Sequence, residues 1–368
     1  MVSLLQNLQG LLKRKKPGIA VEICPDRINM VEIKKQGKKL KLVALATEEV
    51  PEDVFQEGQI VDAPTLAEII QTMVIDNKIK AKQVATVIPA RESVTRVIPV
   101  PLELNDKELS DYMNQEAGLY LPFPREEADL DFQKLGVVID PNDEMQKVQV
   151  ALVATRKQVT DTYIETFQEA GLIIDVLEVN NFSLIRTVKS VLEQYGSQEA
   201  TVIANLDFDC TELAIVVEGI PHFNRTIPIG TWQMQKTLNE AMNLPPSRDT
   251  VELLGMTVPV FDTMGAVGGE TSPGTNALLK VLSELADELR RSIDFYLNQS
   301  DELEVAQLLL AGPGAAIGQI DEYFMQRLSM PTTKVDPIET LDLELPQEIP
   351  LEERYGLGVV LGLGLREV

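Results

Sequence analysis

Asn205, Asp207, Asp209 and Thr211 crowd the stretch NLDFDCTEL (205–213), where one apolar run ends and the next begins. A strand entering a tight turn and leaving as a second strand is where a nucleotide-binding fold places a glycine-lined phosphate loop. Glycine lets backbone N–H groups close on phosphate oxygens. Here two carboxylates fill the turn, with no glycine between them and no positive charge nearby in the chain. A carboxylate ~4 Å from a phosphate oxygen costs about 4 kcal/mol at an effective dielectric of ~20. That weakens binding roughly a thousandfold. A divalent cation bridging carboxylate and phosphate would offset part of the cost.

A similar turn lies earlier. Laying 201–217 over 18–34 with an offset of 183 matches Ala204 to Val21, Leu206 to Ile23, Leu213 to Met30 and Val216 to Ile33, and brings DFDC onto CPDR. The earlier copy carries Glu22, Cys24, Pro25 and Asp26, and Pro25 has no N–H to offer. A third glycine-bearing turn, Gly312-Pro313-Gly314-Ala315, joins an apolar strand (305–312) to a helical pattern with Ile317, Ile320, Phe324 and Leu328 on one side. A strand-to-helix junction of this kind lets a ligand approach a helix N-terminus.

The surrounding elements follow from periodicity. Three short strands from Gly18 form consecutive hairpins. A helix led by Pro64 carries Leu66, Ile69, Ile70, Met73 and Val74, and a buried strand spans 84–89. Residues 93–175 change rhythm to strand, helix, strand, strand, helix, with Asn105 and Glu108 suited to a capping box. A second meander starts near 201 and ends in IPHFNRTIPIG. A glycine-rich loop (255–276) precedes a helix over 278–297, and an acidic loop (336–353), read as a solvated connection, precedes a last glycine-spaced helix. The N-terminal stretch 1–16 sets Leu4, Leu5, Leu8, Leu11 and Leu12 ahead of Lys13–Lys16, either as a helix docked on its own protein or as a weak foothold on an anionic membrane surface.

Composition narrows the function. The 368 residues carry 57 acids against 33 bases, a net charge of −24, which argues against nucleic acid as a partner. Two cysteines, Cys24 and Cys210, give no disulfide framework and fit a reducing compartment; both read as buried fillers. No apolar run reaches membrane-spanning length, so a cytoplasmic protein is expected. The single histidine, His222, reads as an exposed turn residue, so a histidine-based metal site is not expected. No base stands ready to activate a serine. Arg91, Arg96 and Arg125 read as solvated surface charges.

Two duplicated meanders, an α+β insertion in the first and strand-GPG-helix near the end resemble the actin-like architecture, an α/β fold of two ribonuclease-H-like halves. Within it the chain is similar to the PilM family of type IV pilus assembly, relatives of the divisome protein FtsA. The most specific stretches are EAGLYLPFPREEADLDFQKLG (116–136), VALVATRKQVTDTYIETFQEAGL (150–172) and ELRRSIDFYL (288–297). The resemblance implies an N-terminal segment (1–17), subdomain 1A (18–92 and 176–198), an inserted subdomain 1C (93–175), subdomain 2A (199–235 and 301–368) and subdomain 2B (236–300). It also implies a nucleotide site at Glu22, Cys24, Asp26, Asn205, Asp207, Asp209, Thr211, Gly312, Gly314 and Ala315, with Glu22 at the metal-facing position. The phosphate-loop glycines are replaced by Cys24 and Asp207, so ATP with Mg2+ is expected to bind weakly or not at all, leaving a pseudo-ATPase. PilM-like proteins hold the cytoplasmic N-terminal tail of the membrane protein PilN between the first subdomain and the inserted one. The implied function is therefore a scaffold on the cytoplasmic face of the inner membrane, linked to PilN/PilO and onward to the platform protein and motor ATPases. The alternative is an ATP-binding switch whose nucleotide state controls partner binding.

Overall fold

The computed structural model describes residues 18–37, 39–140, 144–259, 272–298 and 303–367. The N-terminal segment 1–16 and residues 260–271 of the glycine-rich loop lie outside the described residues. Strand β1 (Ile19–Ile23) is buried on both faces, as its near-continuous apolar run requires. It pairs antiparallel with β2 (Arg27–Gln36), which pairs antiparallel with β3 (Lys39–Glu49). A two-residue hairpin, β4 (Phe55–Gln56) with β5 (Gln59–Ile60), leads into helix α1 (Ala63–Asp76). Asp62 caps α1 by accepting the Thr65 N–H, and Leu66, Ile70, Met73 and Val74 face the sheet. Strand β6 (Gln83–Ile88) then lies parallel to β1.

The insertion begins with β7 (Ser93–Pro101) and helix α2 (Asp106–Glu116), whose Asn105–Glu108 capping box is formed. Strands β8 (Ala128–Ile139) and β9 (Gln146–Arg156) complete an antiparallel sheet in the order β7-β9-β8. Leu109 and Met113 of α2 cover one face of this sheet, over Ile98, Val100, Val150 and Leu152. Helix α3 (Lys157–Glu169) instead sends Tyr163 and Phe167 into the core beneath α1. Strand β10 (Ile173–Val179) closes the first sheet against β6, and helices α4 (Asn180–Thr187) and α5 (Lys189–Leu192) follow.

The second half repeats the hairpin. Strands β11 (Glu199–Leu206), β12 (Thr211–Val217) and β13 (Ile220–Ile227) form its meander. Ala204 pairs with Leu213 where Val21 pairs with Met30, so the offset of 183 holds to the residue. Helix α6 (Thr231–Met242), short helix α7 (Val251–Leu254) and long helix α8 (Pro273–Leu297) come next. Helix α8 starts at Pro273, earlier than the spacing indicates, because the Ser272 hydroxyl accepts the Thr275 N–H and Pro273 suits the first turn. Strand β14 (Glu304–Ala311) lies parallel to β11.

After β14 the expected continuous helix breaks. Residues Pro313–Ala316 form a single 3-10 turn, and helix α9 (Ile320–Leu328) begins later. Between them the Gly318 N–H donates to Met256 O and its carbonyl accepts from the Val258 N–H, so neither is available to a helix. Strand β15 (Thr332–Lys334) finishes the second sheet, in the order β13-β12-β11-β14-β15. The acidic stretch 336–353 is not merely a solvated connection. Helix α10 (Pro337–Thr340) buries Ile338, strand β16 (Leu343–Glu344), which adds to the edge of β3, buries Leu343, and the loop after it buries Ile349. The first sheet thus runs β10-β6-β1-β2-β3-β16 among the described residues.

Helices α11 (Leu351–Arg354) and α12 (Gly358–Gly364) and a 3-10 turn (Leu365–Glu367) end the chain's described part. Helix α12 lies against α4 so closely that a Cβ on Gly362 would stand 2.0 Å from Ser183 O. Apolar residues of α4 and α12 share one cluster with Val31 and Ala85 of the first sheet and Ile203 and Val216 of the second, which joins the two halves.

Candidate functional site: the facing turns and the groove beside them

The duplicated hairpins bring their turns face to face. Both turns close alike: Cys24 N–H donates to Arg27 O at 2.8 Å, and Asp207 N–H to Cys210 O at 3.0 Å. Ligand atoms of Glu22, Cys24 and Asp207 lie within 4.8 Å of one another, with the Cys24 thiol 3.7 Å from Asp207 Oδ2. Asp26 stands beside them. Asn205 is buried at the end of β11, and the Thr211 hydroxyl is spent on Ile229 O at 2.7 Å.

The turns do have positive charge beside them, contrary to the local reading. Arg27 donates to both oxygens of Asp26 at 2.8 and 3.0 Å and to Asp207 Oδ1 at 2.9 Å. Arg91, read as a solvated charge, reaches Asp209 Oδ2 at 2.6 Å with its side chain only 19% exposed. Arg248 donates to Pro25 O at 2.7 Å and stacks 5.2 Å from the Phe208 ring centre. Sequence inspection misses these because the partners stand 180, 118 and 223 residues apart. The duplication itself carries one overlooked signal. Glu22 pairs with Asn29 across the first hairpin, and their counterparts Asn205 and Glu212 pair across the second with the types exchanged.

Burial dominates the electrostatics. It pushes the Glu22 carboxyl up to about 7, even with Arg27 close and Asn29 donating to it at 3.1 Å. Burial likewise pushes Glu212 up to about 7, with Asp207 adding to the rise. It raises the Cys24 thiol well above its ordinary value, so the thiol stays protonated, and it raises Asp26 as well.

The third motif is packed rather than open. Gly312 sits at φ +81°, and a Cβ there would stand 2.6 Å from both Asn205 Oδ1 and Leu206 O. A Cβ on Gly314 would meet the Leu206 side chain at 2.7 Å, and Ala315 is fully buried. These residues abut the end of β11, on a 3-10 turn rather than a helix N-terminus.

The turns leave few backbone donors free for a magnesium-bound triphosphate. The Cys24 and Asp207 N–H groups are consumed within their own turns, Pro25 has none, and Phe208 N–H turns back to Asp207 Oδ1 at 2.8 Å. Thr231 and Trp232 N–H at the start of α6 donate to Asp207 O and Phe208 O, each at 2.9 Å. The space between Cys24, Arg91, Asp209 and Glu212 is about 20 Å³, room for about one or two waters. Magnesium also prefers an all-oxygen shell to one containing a protonated thiol. Beyond Arg27 the cleft widens to about 720 Å³ between Leu45, Leu254, Pro313 and Ile349.

A separate groove of about 220 Å³ opens where three parts of the chain meet Arg366, whose Nε lies 3.0 Å from Glu178 Oε2. Thr95, Gln133, Leu135, Ala151 and Val153 come from the inserted sheet. Glu178, Val179, Phe182 and Arg186 come from β10 and α4, and Gly219, Ile220 and Pro221 from the β12–β13 turn. Its floor holds a bidentate ion pair, Arg186 on Glu178 at 2.8 and 3.0 Å.

The chain is similar to a chain of a solved PilM-PilN type IV pilus biogenesis complex at 25% identity, covering 96% of this chain and 99% of that one, with a TM-score of 0.78. It shares its fold with the ethanolamine utilization protein EutJ of Carboxydothermus hydrogenoformans (12% identity, 99% and 92% covered, TM-score 0.50). It likewise shares it with MreB 5 of Spiroplasma citri bound to AMPPNP (14% identity, 90% and 95% covered, TM-score 0.50). The fold is the actin-like one, in two duplicated halves with an α+β insertion in the first. The family model described as type IV pilus assembly protein PilM matches residues 20–368, and the chain belongs to that family.

Proposed function

We propose that this chain is a scaffold of type IV pilus assembly that holds the cytoplasmic N-terminal tail of PilN in the groove between the inserted sheet and β10–α4. The observation that carries this reading is the near full-length likeness to a chain of a PilM-PilN complex. The groove supports it: its walls are apolar at Leu135, Val153, Val179, Phe182 and Ile220, and its Glu178 is held by Arg186 and Arg366. Membrane attachment then comes through PilN and its partner PilO, on the cytoplasmic face. Among the described residues no helix is long and apolar enough to cross a membrane. The platform protein and motor ATPases would be reached from this seat.

The same reading makes the chain a pseudo-ATPase. Arg27 and Arg91 already neutralise the carboxylates that face the cleft, and the turn N–H groups are spent. The test is fluorescence anisotropy of a labelled PilN N-terminal peptide titrated with this protein, with and without Mg-ATP. Saturable binding that ATP leaves unchanged is the expected result. Binding that requires or is abolished by ATP makes the nucleotide switch the primary function, and no binding in either condition overturns the scaffold reading.

A further inference from the structure

Each wall of the groove is rooted, within a few residues, in a contact between the two halves. On the segment entering β7, Ala90 N–H donates to Glu212 Oε1 at 3.0 Å and Arg91 to Asp209 at 2.6 Å, while Thr95 lines the groove. At the start of α4, Asn180 Nδ2 donates to Glu212 Oε2 at 2.5 Å and Asn181 Nδ2 to Asn224 Oδ1 at 2.7 Å. Val179 and Phe182 on either side of that pair line the groove. Asn224 sits on β13, whose beginning, Ile220 and Pro221, forms the third wall. One side chain of the second half therefore grips both first-half roots, one oxygen to each.

We propose that Glu212 is a positioning residue for the partner groove: its two carboxylate oxygens set the spacing of the walls at Thr95 and at Val179–Phe182, so the affinity for the PilN tail depends on how the two halves are closed. This rests on the scaffold reading above. The physical link is short. Ala90 opens the 3-10 turn Ala90–Glu92 that runs directly into β7, and Asn180 opens α4, so both contacts sit in hydrogen-bonded backbone that passes a shift on to the wall. The linkage is also reciprocal: a bound tail that fixes the walls must favour the closed arrangement of the halves by the same factor.

Three variants and one exchange measurement test this, all on the full chain with the labelled PilN peptide. Glu212→Ala removes both contacts and is expected to weaken binding about tenfold. Glu212→Gln keeps an acceptor for Ala90 N–H and, with the Asn180 amide turned over, offers an N–H to Asn180 Oδ1, which is buried without a hydrogen-bond partner. It is expected to stay within about threefold of the native affinity. Leu282→Ala, in the second-half core away from the groove, is expected to lower the melting temperature while leaving the affinity unchanged, which separates positioning from general loosening. Saturating peptide should slow hydrogen exchange at the Ala90 amide. Where Glu212→Ala fails to fold, Asn180→Ala, which removes one of the two contacts, carries the test with an expected loss of about threefold. Native affinity in a folded Glu212→Ala or Asn180→Ala, or unchanged exchange at Ala90, overturns the proposal while the scaffold reading stands. Absence of peptide binding to the native chain overturns both.

Discussion

The first and second turns are copies in backbone and opposites in use. Each is closed by the same hydrogen bond 183 residues apart, between strands in the same register. In the first hairpin Glu22 is satisfied at home, by Asn29 on the neighbouring strand, and Asp26 is held by the adjacent Arg27. In the second the acid lies on the other strand, and Glu212 and Asp209 bond to Ala90, Asn180 and Arg91 of the first half. Register survives because a slip of one residue would turn every buried side chain out of its core. Side chains at the turns carry no such constraint, so the acids of the first copy are held by residues of their own hairpin while those of the second reach across to the first half.

The largest expected effect tests whether Arg27 is the centre of that arrangement. It serves both turns, and its side chain and that of Asp207 are 14% and 15% exposed. Arg27→Ala leaves two largely buried carboxylates without their cation and is expected to cost about 3 kcal/mol in chemical denaturation. Adding Asp207→Asn should recover about 1–2 kcal/mol of that loss, the signature of a direct pair. Arg91→Ala, which affects only the second turn and a partner 22% exposed, should cost less, about 1–2 kcal/mol. Equal losses would break the claim that the first turn holds the shared cation.

How far the sequence could take this depends on the range of the interactions. Strands β1 and β11 announce themselves because burial on both faces leaves a near-continuous apolar run, and Asn105 with Glu108 marks α2 because a cap acts over three residues. Glycine is where local reading fails. Gly274 reads as part of a loop, yet it lies inside α8, where a Cβ would stand 2.5 Å from Leu238 of α6. Gly312 and Gly314 are legible as positions that tolerate no side chain, but the body they admit is Leu206 and not a ligand. The site residues Glu22, Cys24 and Asp207 do converge, as the duplication implies. Arg27, Arg91 and Arg248 were not legible as their partners, since nothing in a single chain marks which charges meet across more than a hundred residues.

The Glu–Asn exchange predicts a pH dependence of middling size. Glu22 and Glu212 are raised to about 7 in the folded chain by burial, from an ordinary value of 4.5. Between those values the folded state holds protons that the unfolded state has lost, so their contribution to stability falls as pH rises from about 4.5 to about 7 and is flat above. The slope approaches about 1.4 kcal/mol per pH unit for each proton bound only in the folded state. Glu22→Gln and Glu212→Gln should each flatten part of the fall, and each should exceed the native chain in stability at pH 8. If only one does, the exchange is not symmetric and the two acids answer to different surroundings.

The smallest expected effect is the sharpest for the cleft. A ligand that binds only the folded state stabilises it by RT ln(1 + [L]/Kd), about 2.7 kcal/mol at a hundredfold excess over Kd. A working magnesium-nucleotide site with a Kd of about 0.1 mM would therefore raise the melting temperature by several degrees at about 10 mM Mg-ATP. Here Glu22 is largely protonated below about pH 7, the Cys24 thiol is held protonated by burial, and Asp207 Oδ1 already accepts from Arg27. A cation entering between them meets the charge of a guanidinium 2.9 Å from Asp207 Oδ1. Differential scanning fluorimetry with and without Mg-ATP is expected to give a shift under about 1 °C. The same titration on Arg27→Ala asks whether the guanidinium alone keeps the site shut. A rise there, absent in the native chain, assigns the closure to Arg27. No rise in either assigns it to the loss of free N–H groups around Pro25 and Phe208, which removing a side chain does not restore.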